Sequence, residues 1–317
     1  MKPVFALAVL ACGVLPAQTL DEPVVLKVDV ENVVIYRNTV FDLSKIAKDP
    51  GPTTSANQAF VDGINIGDIV AINGKPAKGT WSSSFFATPF RAAPQPGQPI
   101  ADFDLAGTNF CTWQIYGTDG TFIGMIRDSG AGQGHTVVGA LGGVFGVVGT
   151  HQGGGATVPT RQASTAEDPA NRRALGGGKM SVVFYLYPRV RPAVVVSANG
   201  PAIAHLDYSP VTAAKPALPG ETLIIAATGL GPVKPDLLPP GAVEFSASPL
   251  QEVNAPVSIV FNGKELPVIN KVGWPGQKTA YWVDFQVPAD ASSGTATLGL
   301  IAAWIPGPVV TIPVGAQ

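Results

Sequence analysis

The sequence predicts an all-β protein of two globular domains, and three observations carry that prediction. Of its 317 residues 37 are glycine and 30 are proline, and the apolar positions recur with period two between turn signals. A proline inside a helix costs about 3 kcal/mol and a glycine about 1, so long helices are scarce in such a chain. Short strands tolerate it, because glycine supplies the positive φ of turns and proline presets their first position. The length exceeds the roughly 100–200 residues of one domain. Hydrophobic residues make up 46% and charged residues 13%, so apolar surface suffices for two cores.

The elements follow in order. Met1-Lys2-Pro3 and the apolar run Val4 to Ala11 read as a signal peptide over residues 1–17, too short to span a membrane. Cleavage falls after Ala17, or a lipid is attached at Cys12 within Val9-Leu10-Ala11-Cys12-Gly13; either route places the protein in the periplasm, the envelope or outside the cell. Val24 to Tyr36 alternates Leu26, Val28 and Val30 with Lys27, Asp29 and Glu31, the mark of a half-buried strand. Asp42 to Lys48 reads as one helical turn, and Ile64 to Ile72 as a strand ending at the hairpin signal Asn73-Gly74. An aromatic-rich piece, Trp81 to Phe90, follows. Ile100 to Ile126 gives two strands around Thr118-Asp119-Gly120, and His135 to Val148 gives a glycine-rich strand pair able to curve. Asp168 to Gly176 has the caps of a short helix, with Asp168 as N-cap and Pro169 first. Met180 to Tyr187 is a further strand.

Pro188 to Pro192 separates a first domain, residues 18–190, from a second, 191–317. Beyond it, strands at Ala193–Val196, Thr222–Ala227, Val257–Phe261, Ala280–Val287, Thr295–Ala303 and Val309–Val314 have the spacing of an immunoglobulin-like β-sandwich.

Two resemblances add to this reading. Pro219-Gly220-Glu221-Thr222-Leu223, Thr228-Gly229-Leu230-Gly231-Pro232, Phe261-Asn262-Gly263-Lys264 and Phe285-Gln286-Val287-Pro288 resemble the immunoglobulin-like C-terminal domain of secreted acidobacterial (Solibacter-type) proteins. That family implies export and a sandwich, and no catalytic residues. Val137 to Gly149, with glycines at 139, 142, 146 and 149, resembles the eight-stranded, calycin-like β-barrel of allene oxide cyclases and dirigent proteins. It departs at Leu141, where that family has Thr, and at Val144, where it has Phe. The resemblance therefore implies the barrel without the activity.

With a net charge of −2 and no basic run, the chain lacks the roughly 6–10 cationic phosphate contacts of a nucleic-acid binder. No later run is long and apolar enough for a transmembrane helix. No nucleophile elbow, zinc-protease helix or P-loop is present, and no cofactor is called for. His135, His151 and His205 are far apart, with only Asp207 close to one of them, so no metal site is read from them. Cys111, alone once the leader is removed, sits among Phe110, Thr112 and Trp113 as a buried, inert thiol. Asp102 and Asp104 would lie on one strand face about 7 Å apart, as an acid–base pair or as solvated surface.

The candidate ligand-binding residues are Trp81, Phe85, Phe86, Phe90, Arg172 and Trp282. The first four line an apolar barrel cavity, form a sugar-stacking platform or pack the core. Arg172, with Arg173, guards a barrel mouth or pairs with Asp168 one turn away. Trp282, with Trp274 and Tyr281, offers a sugar-stacking surface. The sequence thus leads to the expectation of a non-catalytic exported or envelope-associated protein whose barrel either takes an apolar small molecule or serves as a rigid module, and whose second domain is an interaction module. The alternatives are an isomerase or cyclase acting inside the barrel, and an adhesin for surface polysaccharide.

Overall fold

The computed structural model describes residues 22–37, 63–89, 105–131, 134–158, 160–164, 166–235 and 243–316. The leader, the helical turn expected at 42–48, Phe90, Asp102 and Asp104 lie outside them, and of Phe85 and Phe86 only the backbone is described.

Nine strands form one sheet: β1 (Val24–Arg37), β2 (Gly63–Ile72), β3 (Lys75–Pro89), β4 (Leu105–Tyr116), β5 (Phe122–Ala131), β6 (Gly134–Gly142), β7 (Val147–Val158), β8 (Arg161–Ser164) and β9 (Gly178–Pro188). Because β1 is antiparallel to both β2 and β9, eight strands close into a barrel, and β8 runs parallel to Val34–Arg37 at the end of β1. Alternation assigns the faces. Val24, Leu26, Val28 and Val30 are buried, and Leu26 and Val28 lie opposite Phe184 and Val182 of β9, while Val25 and Lys27 face solvent.

The hairpin signals act as read. Asn73 and Gly74 take φ of 51° and 75°, the double left-handed turn that suits strand twist, and link β2 to β3. The expected helix is shorter than its caps suggest. A single turn, α1 (Asn171–Ala174), begins after Ala170, and Asp168 closes the approach by accepting the Ala170 N–H through Oδ1 at 2.9 Å.

The turns at 73–74, 117–121 and 143–146 lie at one end of the barrel, and the connections 38–62 and 90–104 join strands at the other. Toward the turn end the interior is filled by Leu26, Ile72, Ile115 and Leu186, all almost fully buried.

From Ala193 onward the strands form other sheets. One holds β10 (Ala193–Val194), β13 (Ile203–His205), β14 (Thr222–Thr228), β15 (Val233–Lys234), β16 (Glu252–Val253), β19 (Asn270–Gly273) and β20 (Ala280–Gln286). A second holds β17 (Val257–Phe261), β18 (Lys264–Pro267), β21 (Gly294–Ala302) and β22 (Ile305–Val314), and β11 (Val196–Ser197) pairs with β12 (Gly200–Pro201) as a ribbon. Leu223, Ile225, Val283 and Phe285 of the first sheet and Ile259, Phe261, Leu298 and Leu300 of the second belong to one core, with the rings of Phe261 and Phe285 6.3 Å apart. The pair read as separate strands at Thr295–Ala303 and Val309–Val314 is one hairpin, turned by Ala303 and Trp304 at φ of 47° and 65°.

The turn end of the barrel rests on these sheets. A Cβ on Gly143 would meet that of Ala303 at 2.9 Å, so glycine sets the approach of the 143–146 turn. Asn254 Nδ2 donates to the Phe122 carbonyl at 3.1 Å, and Lys234 Nζ reaches Asp119 Oδ2 at 2.8 Å.

Gly149, at φ 147°, lies where β7 crosses β9, and a Cβ there would come within 2.0 Å of the Tyr185 carbonyl oxygen. Gly149→Ala should therefore lose about 3 kcal/mol of stability in urea unfolding, because neither backbone can retreat without breaking barrel hydrogen bonds.

Candidate functional site

Strand register builds a polar centre inside the barrel. Ser83, Cys111 and Asp128 are direct cross-strand neighbours on β3, β4 and β5, and His135, His151 and Phe184 are direct neighbours on β6, β7 and β9. All six are buried, and the Asp128 side chain has no exposure at all. Trp113 of β4 completes the wall, with its ring edge-on to His151 at 5.7 Å and to Phe184 at 5.1 Å.

Asp128 is the focus. Trp113 Nε1 donates to Oδ2 at 2.6 Å, and His135 Nδ1 lies 2.7 Å from Oδ1. The His151 ring stacks on that of His135 with centroids 4.3 Å apart. His151 Nδ1 is 3.2 Å from Oδ2, yet it is out of line for a hydrogen bond and has no other partner. Burial would raise the Asp128 pKa, but His151, His135 and the Trp113 N–H outweigh it and hold the group below the ordinary carboxylate range. Asp128 is therefore an anion, and the proton shared with His135 sits on Nδ1. His151 acts on it by proximity.

Cys111 Sγ approaches the same nitrogen, His135 Nδ1, at 3.7 Å. A nucleophile–base–acid relay uses the two imidazole nitrogens separately, one for each neighbour. Here both neighbours converge on one. Burial first, and the Asp128 charge second, push the Cys111 thiol up to about 12, so the neutral thiol is no nucleophile. The arrangement suits three tasks: anchoring a hydrogen-bonding ligand, moving a proton between carboxylate and imidazole, and holding a cation.

The candidates named from sequence are dispersed. Trp81 borders the centre, with its ring 5.7 Å from Trp113 and its buried Nε1 without a hydrogen-bond partner. Arg172 corrects the expected pairing with Asp168. It reaches Asp68 Oδ1 on β2 at 2.6 Å, with side chains only 12% and 11% exposed, and Arg173 and Asn32 hold the other oxygen at 3.0 Å each. Asp68 alternates with the inward-facing Gly67 and Ile69, so α1 is pinned to the outer barrel wall and Arg172 is no guard of the mouth. Burial alone would raise Asp68, but Arg173, Arg172 and Asn32 bring it from 3.8 to about 2.

In the C-terminal sheets Trp282 is half-buried, stacked at a tilt on Trp274 with centroids 5.7 Å apart, and its Nε1 donates to Asp284. Tyr281 is 8% exposed and donates to the Gly231 carbonyl, so it belongs to the core and not to a sugar-stacking face. His205 pairs with Glu221 at 2.6 Å, while its sequence neighbour Asp207 pairs with Lys215.

Asp128, His135 and His151 were not singled out together, yet a signal for each was present. Extending the core alternation by two residues, from Ile126 to Asp128, from Val137 to His135 and from Val147 through Gly149 to His151, turns all three inward. Their assembly around one carboxylate depends on which strands pair.

Fold and site together define an all-β protein with a closed eight-stranded barrel around a buried carboxylate–imidazole centre. A scan against protein-family models and a search of curated proteins found no match to the chain.

Two outcomes follow. Asp128→Ala strands the Trp113 and His135 N–H donors in an apolar interior and should cost about 3–5 kcal/mol in urea unfolding. Asp68, depressed from 3.8 to about 2, stabilises the fold fully above about pH 4 and loses that contribution as pH falls toward 2. The stability gap between wild type and Asp68→Asn should thus be about 2 kcal/mol at pH 6 and close by pH 2 in paired thermal melts.

Proposed function

We propose that the protein is an exported binding module whose barrel takes a small, largely apolar molecule carrying one hydrogen-bonding group, seated against the Asp128–His135–His151 centre. The observation that carries this reading is the unpartnered Nδ1 of His151, buried beside an anionic carboxylate within an otherwise apolar wall. A buried polar atom without a partner costs about 1–3 kcal/mol, and a ligand that supplies the missing hydrogen bond recovers it. An eight-stranded barrel is wide enough either for side chains to fill it or for one small ligand. The C-terminal sheets cover the turn end. The leader-like residues 1–17 support export, the likeness of 137–149 to allene oxide cyclase and dirigent barrels supports a small-molecule interior, and the C-terminal sheets serve as the interaction module.

The 2.7 Å contact of His135 with Asp128 favours a second reading, in which the same pair shuttles a proton and the barrel isomerises or cyclises its apolar guest.

Native mass spectrometry of the full chain purified from its host's envelope extract tests the first reading. A non-covalent mass is expected that leaves on denaturation and is weakened at least about tenfold in His151→Phe, which keeps the ring stack and removes the nitrogen. An empty barrel across repeated preparations would remove the binding reading. Conversion of the eluted molecule when it is returned to wild type, and not to Asp128→Asn, would establish the second.

A further inference from the structure

Cys111 Sγ, a carboxylate oxygen of Asp128 and His135 Nδ1 are all buried and lie within 4.8 Å of one another. We propose that these three side chains form a binding site for one thiophilic divalent transition-metal ion of the zinc class, and that His151, which stands outside this group, moves in as the fourth ligand. The inference shares Asp128, His135 and His151 with the ligand-binding reading but does not rest on it, since it adds Cys111, which that reading does not use.

The geometry points to it in three ways. First, one imidazole nitrogen faces both a sulfur, at 3.7 Å, and a carboxylate oxygen, at 2.7 Å. With zinc–sulfur bonds of about 2.3 Å and zinc–nitrogen or zinc–oxygen bonds of about 2.0 Å, donors on a tetrahedral ion stand about 3.6 Å (S to N) and about 3.3 Å (N to O) apart. The separation of Cys111 from His135 already fits. The contact of His135 with Asp128 must open by about half an ångström as the ion replaces the proton between them, and the His151 ring must shift toward the other three donors.

Second, His151 Nδ1 has no hydrogen-bond partner although its side chain is only 5% exposed. It is a free lone pair or an unsatisfied donor, and a metal ion is one way to use it. Third, the outer shell is in place. Trp113 Nε1 fixes Asp128 Oδ2 at 2.6 Å and leaves Oδ1 facing His135 at 2.7 Å, as the groups behind a metal ligand generally do. The donor set of one sulfur, imidazole nitrogens and one carboxylate excludes calcium and magnesium, which take oxygen, and selects zinc, cobalt or copper. Binding converts the Cys111 thiol to thiolate, its proton leaving to solvent, and His135 binds through Nδ1 as the neutral tautomer that carries its proton on Nε2.

The test uses the full chain without a histidine tag, reduced, and titrated with Co²⁺ and then Zn²⁺. One equivalent of Co²⁺ should give the intense visible bands of a tetrahedral ion together with a near-ultraviolet thiolate-to-cobalt band, and one equivalent of Zn²⁺ should bleach both. Cys111→Ser should lose the thiolate band and weaken Zn²⁺ at least about 100-fold against a chromophoric chelator, with its far-ultraviolet dichroism unchanged. A wild-type spectrum of octahedral type without a thiolate band, binding below one equivalent, or equal Zn²⁺ affinity in Cys111→Ser would each overturn the proposal. Should that variant fail to fold, the wild-type thiolate band decides the matter alone.

Discussion

Hydrogen bonding of β1 to both β2 and β9 closes the sheet, and the rest of the N-terminal structure depends on that closure. An open sheet of these strands would leave two edges unpaired and one apolar face wet. Closed, it has no free edge along these strands, and every second residue faces a shared interior. Glycine makes the closure possible where strands come too close for a side chain, as Gly149 of β7 does against Tyr185 of β9. The composition that forbids long helices is thus the one that lets the barrel curve.

Within that interior the turn half and the opposite half differ. Near the sandwich, Leu26, Ile72, Ile115 and Leu186 fill the space as an ordinary core. Farther along the same strands Asp128, His135, His151, Cys111 and Ser83 converge, and there the low dielectric works in both directions. It makes an isolated carboxylate costly, and it strengthens each contact that compensates for the cost. Asp128 stays anionic because Trp113 and His135 meet its oxygens while His151 lies beside it. The compensation is incomplete at His151, and an apolar residue at 128 would build a simpler core. That a barrel otherwise packed with aliphatic and aromatic side chains holds this centre is the strongest sign of function in the molecule.

The sandwich bears on function by position. Its turn at Ala303 and Trp304 meets Gly143, and Asn254 and Lys234 bond to the barrel around it. The surface ion pairs in this contact add little energy, since exposed charges are screened. Close backbone approach at Gly143 and the buried Ala255 and Ala303 give the contact its shape. One end of the barrel is thereby covered.

Sequence alone determined the all-β class, most strand positions and several hairpins, because period-two alternation and pairs such as Asn73-Gly74 act over a few residues. It missed the hairpin at Ala303-Trp304, where two side-chain-bearing residues take positive φ that no local preference announces. Alternation also held the information that Asp128, His135 and His151 point inward. Which strands pair, and in what register, was not legible: that choice is made by closure of the whole sheet, and it alone sets Cys111 beside Asp128 and His135 opposite His151. The same limit explains Arg172, whose nearest acid along the chain is Asp168 but whose partner is Asp68. Local patterns decide what each segment is, because they depend on near neighbours; tertiary structure decides which side chains meet, because burial and hydrogen bonding are satisfied over the entire barrel at once.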